Sequence, residues 1–400
     1  MMTQLSEWLS LLDSNCLVVL IDEYDAPLTS CLDQPNLFKE VRSTMSELFL
    51  TLKSNEGCLR FFFMTGITKL SNTSIFSAFN NLEDISLYPK YGTLLGYTEE
   101  EIKHFFQDYL SRAAKQLSLT ESQMMEQLRN HYDGFSFDQN ASSHVYCPWS
   151  VLKFFNYPEL GFENYWYASG GQPSVLKKYL MSHSLEKPTN FDQVKQVRLS
   201  ELNAAQQYND LSIDVLLTQS GYLTIKSVLK NGYAVLGYPN QEVALSMAQL
   251  YSDELLKGKP LEEPQGPMIS DIMVNGSTEE VVLAFNQVVN SIDYQRYPIV
   301  DEASCRAYLQ VLLIGAAMMP SVEIHNAHGR SDMEVRAGNR HWVFEFKYAS
   351  TDAEVETLLT EAVVQIQSQH YGERVFNRNQ IRVALVFNAK RRQFTAWQAV

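Results

Sequence analysis

The 400-residue sequence has no apolar run approaching the ~20 residues of a membrane-spanning helix. The longest, Val311 to Met319, stops at Pro320. Cysteine is scarce: Cys16, Cys31, Cys58, Cys147 and Cys305 are far apart, odd in number and include no C-x-x-C pair. That excludes a disulfide framework and a paired-cysteine zinc site. Glycine (18) and proline (13) are too few for a fibrous chain. The N-terminus has neither a basic region nor a small-residue cleavage site, so no secretion signal is read there. These absences point to a reduced, cytoplasmic setting. With 45% apolar and 20% charged residues the chain is no disordered polymer, and its length suits two or three domains.

Positive charge is also short, the net charge being −14, but the deficit is uneven. Residues 301–400 hold 11 acidic and 11 basic side chains, so the whole deficit lies in residues 1–300. Arg374, Arg378, Arg382, Lys390, Arg391 and Arg392 gather against one acid, Glu373. A local basic patch can bind phosphates even on an acidic protein. A solvated basic tail accounts for the charge equally well.

The chain opens with a short amphipathic stretch and then an apolar strand over 17–21 that ends in acids. A helix over 37–53 and a second apolar strand over 59–64 complete a βαβ unit with a parallel pair. Residues 98–130 read as helical, with Thr98 and three glutamates in the first turn. Another helix is expected from Pro173. A helix near 211 and a hairpin follow, with Asn231-Gly232 predicting a type I′ turn. The stretch 257–267, with three prolines, is the clearest linker. The expected division is therefore 1–256, linker 257–267, and 268–400. The first part divides into a sheet portion over about 1–95 and a helical portion over about 96–256.

The strongest chemical signal is GRSDMEVRAGNRHWVFEFK at 329–347. Two strand-like runs flank Gly338-Asn339. Along the second run His341, Val343, Glu345 and Lys347 share one face, and Trp342, Phe344 and Phe346 the other. A carboxylate and an ammonium on so apolar a strand are costly to bury unless paired. Asp332 can reach the same spot across the hairpin. Two carboxylates and a lysine form a hard-oxygen site suited to Mg2+ or Mn2+, with the Phe346 carbonyl as third ligand. Such a site can hydrolyse phosphodiesters: the metal polarises the phosphate and activates water, and Lys347 orients that water or offsets transition-state charge. A surface hairpin with solvated Glu345 and Lys347 is the plain alternative.

Asp332, Glu345 and Lys347 resemble the PD-(D/E)XK nuclease motif, with Ser331 where proline is usual. That resemblance implies a preceding helix bearing an additional acid, matched by Glu302. It also implies a following helix bearing a polar residue, matched by Gln365 with Gln367 and Tyr371 as neighbours. His341 reads as a satisfied strand residue.

At the N-terminal end, LVVLIDEYD has the form of a Walker B strand, whose Asp22 and Glu23 would meet Mg2+ and water, with Thr65 as a sensor of the γ-phosphate. A helix N-cap after a buried strand explains the same letters. IDEYDAPL, the long block from MTGITKL to GYTEEEI, HYDGFSF, YWYASGGQPSVL and QSGYLTIK together resemble the bacterial AAA-ATPase-like domain fused to a PD-(D/E)XK nuclease domain. The resemblance implies a partial P-loop ATPase-like parallel sheet with a helical lid region, followed by a restriction-endonuclease-like α/β domain. Its implied partner is nucleic acid, DNA first, and no membrane.

No G-x-x-x-x-G-K-[ST] occurs, GYLTIKS at 221–227 having Ile225 at the second glycine. The expectation is a chain lacking the Walker A part of the family, its Asp22, Glu23 and Thr65 a vestige and ATP hydrolysis absent unless another chain supplies the loop. Two alternatives stay open: a non-catalytic regulatory or interaction fragment, and an ATPase half that needs such a partner. The strand over 17–21 is apolar on both faces, as a strand covered by helices on each side is. Without its neighbours, residues 1–95 are expected to be the least stable part.

Overall fold

The computed structural model describes residues 2–69, 82–168, 176, 195–204, 212–255, 269–292, 294–295, 297–316, 318, 320–325, 330–369 and 379–400. They fall into two compact units: Met1–Ser184 with Val194–Ala244, and Leu185–Gln193 with Leu245–Val400. The helix expected from Pro173 lies, but for Leu176, outside the described residues, and so does the 257–267 linker.

In the first unit, helix α1 (Met2–Ser10), strand β1 (Leu17–Ile21), helix α2 (Pro35–Ser54) and strand β2 (Leu59–Met64) form the expected βαβ unit. Pro35 opens α2, a position where its missing N–H costs nothing. β1 and β2 pair in parallel, Val19 against Phe62 and Ile21 against Met64. Leu9, Phe49 and Leu52 pack with Leu17, Val19, Ile21, Phe62 and Met64 on one face of this pair. The other face is uncovered, with Val18, Leu20 and Phe61 exposed. Apolarity on both faces therefore does not bring cover on both.

The helices α3 (Glu99–Phe105), α4 (Gln107–Gln116) and α5 (Glu121–Tyr132) follow. α3 and α5 begin with reciprocal caps, Thr98 with Glu101 and Thr120 with Gln123. They bury Ile102, Leu110, Met124, Leu128 and Tyr132 against Val151 and Phe154 of α6 (Pro148–Asn156). Strand β3 (Lys195–Arg198), helix α7 (Ile213–Gln219) and strands β4 (Thr224–Val228) and β5 (Tyr233–Gly237) come next, the strands forming an antiparallel sheet of order β3-β5-β4.

The β4–β5 turn departs from expectation. The Gly232 N–H donates to the Leu229 carbonyl, and of its residues only Gly232 is left-handed, at φ 81. A type I′ turn needs both central residues left-handed, and Asn231 is not. The turn is a tighter-bonded loop followed by a left-handed glycine, the longer hairpin connection that also preserves strand twist.

Helix α8 (Gln241–Leu255) crosses the boundary between the units. The second unit then runs α9 (Ile269–Asn275), α10 (Thr278–Ser291), α11 (Glu302–Gly315), β6 (Ser321–His325), β7 (Arg330–Ala337), β8 (Arg340–Ala349), α12 (Val355–Ser368), β9 (Gln380–Asn388) and β10 (Gln393–Ala399). Ser277 with Glu280 caps α10, and Asp301 with Ser304 caps α11. The strands form one sheet of order β10-β9-β8-β7-β6, with β8 and β9 parallel and the other pairs antiparallel. Val343 and Ala384 pack under Ala362 and Ile366 of α12. On the opposite face Phe344 meets Phe285 of α10, ring centroids 5.3 Å apart, and Trp342 donates its indole N–H to the Met273 carbonyl at 2.8 Å. Both faces of β8 are thus covered, and every residue from His341 to Phe346 is buried. Among the described residues no helix is long and apolar enough to cross a membrane.

Candidate functional site

The β7–β8 hairpin turns at Gly338, held at φ 55, so that Met333 pairs with Phe344 and Ala337 with Arg340. Continued by one residue, this register sets Asp332 opposite Glu345. There the backbone ladder gives way to a side chain: Asp332 Oδ2 accepts the Phe346 N–H at 2.8 Å. Glu345 is only 1% exposed. Its Oε1 accepts from Lys347 Nζ at 3.1 Å, while its buried Oε2 has no hydrogen-bond partner. Lys347 Nζ also lies 3.7 Å from Oε2 of Glu302, which opens α11. Four of the residues singled out in the sequence, Glu302, Asp332, Glu345 and Lys347, therefore meet at one place.

Burial, then the Asp332 carboxylate, pushes the Glu345 carboxyl up to about 8. Burial alone would lower the Lys347 ammonium, but the Glu345 carboxylate beside it holds it above its usual value. Burial raises Glu302 as well, against the pull of Lys347. The buried Oε2 of Glu345 is left without a donor. A cation at that oxygen would satisfy it, and the hard carboxylate oxygens suit a divalent ion. Among the described residues no group of three or more His, Cys, Asp or Glu side chains is arranged to hold a metal. The donor set here is smaller: Asp332, Glu345 and the Phe346 carbonyl.

Gln365 sits half-buried on α12, beside Ile366, which packs over the sheet face that carries Val343 and Ala384. Gln367 is exposed on the same helix, and Tyr371 lies outside the described residues. Arg306, one turn along α11 from Glu302, approaches Asp332 Oδ1 at 3.9 Å. Nothing in the sequence distinguished it, because its relevance depends on how α11 docks. His341 is buried with Nε2 3.0 Å from Glu334 Oε2, whose other oxygen accepts from the Ser331 hydroxyl at 2.9 Å.

In the first unit, the ends of β1 and β2 bring Asp22, Glu23 and Thr65 together. The Thr65 hydroxyl donates to Asp22 Oδ1, and the Glu23 N–H approaches the same oxygen at 3.1 Å. Glu23 is left-handed at φ 51. Asp25, which sequence reasoning passed over, is buried and accepts from the Ile67 N–H, the Thr68 N–H and the Thr68 hydroxyl at 3.1, 2.8 and 2.6 Å.

These features define a mixed α/β chain whose second unit carries an acid–acid–lysine hairpin on a five-stranded sheet. Comparison with known families gives the class its name. Residues 307–397 match the PD-(D/E)XK nuclease superfamily, and residues 1–76 match a family described as predicted AAA-ATPase. The chain thus joins an AAA-ATPase-like segment to a PD-(D/E)XK nuclease superfamily domain. The nuclease match contains Asp332, Glu345, Lys347 and Gln365 and begins just beyond Glu302 and Arg306. A protein of Azotobacter chroococcum mcd 1, described as an uncharacterized protein in the vnfD 5′ region, is 29% identical over 370 residues, 89% of this chain. The chain spans 66% of that relative's length. No solved structure matches it.

Proposed function

We propose that the C-terminal domain, taken as residues 268–400, hydrolyses phosphodiester bonds of nucleic acid, DNA first, with Mg2+ or Mn2+ held by Asp332, Glu345 and the Phe346 carbonyl. The observation that carries this reading is the buried Oε2 of Glu345, unpartnered beside Asp332 and Lys347. A divalent cation at such a site supplies Lewis-acid polarisation of a phosphate and lowers the pKa of bound water. Asp332 is oriented for this by the Phe346 N–H on one oxygen and Arg306 near the other. Lys347, held between Glu345 and Glu302, stands where an ammonium can orient the attacking water or offset growing negative charge. Gln365 is proposed as the polar residue that the following helix contributes.

Residues 1–256 are read as the AAA-ATPase-like domain, with its sheet part, about 1–95, partially P-loop-like. Asp22 and Thr65 at the ends of adjacent parallel strands support that reading. No stretch of this sequence has the Walker A pattern that cradles phosphates, so Asp22, Glu23 and Thr65 are given no catalytic role.

The test is cleavage of single- and double-stranded DNA by the purified chain with Mg2+, Mn2+ or chelator. Cleavage that needs the metal and is lost in Asp332→Ala and Lys347→Ala is the expected result. Intact cleavage in Asp332→Ala overturns the assignment, as does silence of the wild type with both metals.

A further inference from the structure

The most concentrated exposed positive charge in the described part of the second unit is the turn from β9 to β10, where Lys390, Arg391 and Arg392 follow one another. This turn is built around a buried amide. Asn388 is fully buried; its Oδ1 accepts the Arg391 N–H at 3.0 Å and its Nδ2 donates to Asp352 at 2.8 Å. The Asn388 carbonyl accepts the Arg392 N–H at 2.7 Å, and the Ala389 N–H ties back to the Ala349 carbonyl at 2.9 Å. Arg392 is left-handed at φ 55, a conformation that side chains bearing a Cβ disfavour. Its guanidinium lies over the Tyr294 ring, 4.3 Å from the centroid. Lys390 and Arg391 share one carboxylate, Asp352, at 3.9 and 2.9 Å, so the turn keeps a surplus of positive charge.

Its place in the sheet gives that charge a use. β8 and β9 run in parallel, with Glu345 beside Ala384, Lys347 beside Val386 and Ala349 beside Asn388. The turn therefore leaves the sheet at the end that carries Glu345 and Lys347, about 10 Å beyond Lys347 at the usual rise of a strand.

We infer that the Lys390–Arg392 turn is a docking site for the phosphodiester backbone of nucleic acid, holding the strand so that a bond about three nucleotides away lies at the acidic hairpin. The choice of partner rests on the nuclease reading above. A chain of net charge −14 repels a polyanion, so affinity has to come from local cations. Arginine forks on a fixed turn fit phosphate oxygens, whereas phosphate contacts carry no base information. Binding through this turn is therefore independent of sequence.

The experiment measures anisotropy of a short labelled DNA duplex with the full chain in chelator, across a range of salt. Lys390→Glu/Arg392→Glu is compared with wild type and with Lys39→Glu/Arg42→Glu on exposed positions of α2. Arg392→Asn, which suits a left-handed position, serves as a gentler second variant. The expected result is binding about tenfold weaker, with a salt slope shallower by about two, equally for two unrelated sequences and only in the turn variants. Unchanged affinity and slope overturn the inference, as does failure of the wild type to bind. Turn-dependent binding without metal-dependent cleavage removes the nuclease reading and leaves this one; cleavage with turn-independent binding does the reverse.

Discussion

The Lys347 ammonium stands 3.1 Å from Oε1 of Glu345, two residues earlier on the same strand, while the other oxygen of that carboxylate faces no donor. Lysine thus neutralises half of a buried group. Glu345→Gln keeps the shape, brings an amide to the unpartnered position and removes an anionic ligand. Metal-dependent cleavage should fall by about 100-fold or more, the scale of losing a principal charge-stabilising group. Mn2+ binding followed by its paramagnetic signal should weaken in parallel. Wild-type Mn2+ binding in Glu345→Gln would show that the cation sits elsewhere.

The Glu334–His341 pair makes a second, structural case. Both side chains are buried, and the Ser331 hydroxyl also donates to Glu334. His341→Leu strands a carboxylate in the core and should cost about 3 kcal/mol in urea unfolding. Replacing both residues by leucine should recover a good part of that loss, because breaking a buried pair costs more than deleting it. A double variant no more stable than the single one would contradict this.

Much of the acidic hairpin was legible because its chemistry is local. Charged residues at alternate positions of an apolar strand announce themselves, and the two-residue turn at Gly338-Asn339 sets the register that brings Asp332 to Glu345. Glu302 was legible only through a family pattern. Arg306 and Asp25 were not, since each matters through tertiary docking: one through the seat of α11 on the hairpin, the other through the loop after β2. The type I′ expectation failed for a local reason, a hydrogen bond from Gly232 to Leu229 that lengthens the loop by one residue. The uncovered face of β1 was not readable either, because apolar residues do not say which of them find a partner.

Asp25 gathers three hydrogen bonds from Ile67 and Thr68, and the Tyr24 hydroxyl adds a fourth tie by donating to the Thr68 carbonyl at 2.7 Å. Asp25→Ala leaves buried donors without an acceptor and should destabilise the first unit by about 3 kcal/mol. Amide exchange at Ile67 and Thr68 should accelerate first. If those amides keep their protection, the carboxylate is not what holds the loop.

Neighbouring residues of β1 should respond oppositely to charge. Val19 packs against the Leu9–Phe49–Leu52 cluster, whereas Leu20 is 68% exposed on the opposite face. Val19→Lys should lower stability by about 2 kcal/mol or more, while Leu20→Lys should stay within about 0.5 kcal/mol. Comparable losses in thermal unfolding would mean that the open face is covered in solution.

Glu242 offers a test of pH dependence away from any metal. It lies in the first turn of α8, 1% exposed, accepting the Ser150 hydroxyl at 2.8 and 3.0 Å and the Trp166 N–H at 2.8 Å. Burial outweighs these bonds and pushes its carboxyl up to about 7 from an ordinary 4.5. Below the ordinary value both folded and unfolded chains hold the proton, and this contribution is fully present. Between the two values only the folded chain holds it, so stability falls as pH rises, by about 1.4 kcal/mol per pH unit. Above about 7 the loss is complete and the slope from this group vanishes. Glu242→Gln should flatten that segment of the stability profile. Ser150→Ala, by removing a donor to the ionised form, should extend the falling segment to higher pH. Urea midpoints of the first unit, followed from about pH 5 to about pH 8, provide the measurement. Identical slopes in wild type and Glu242→Gln would place the proton on another group.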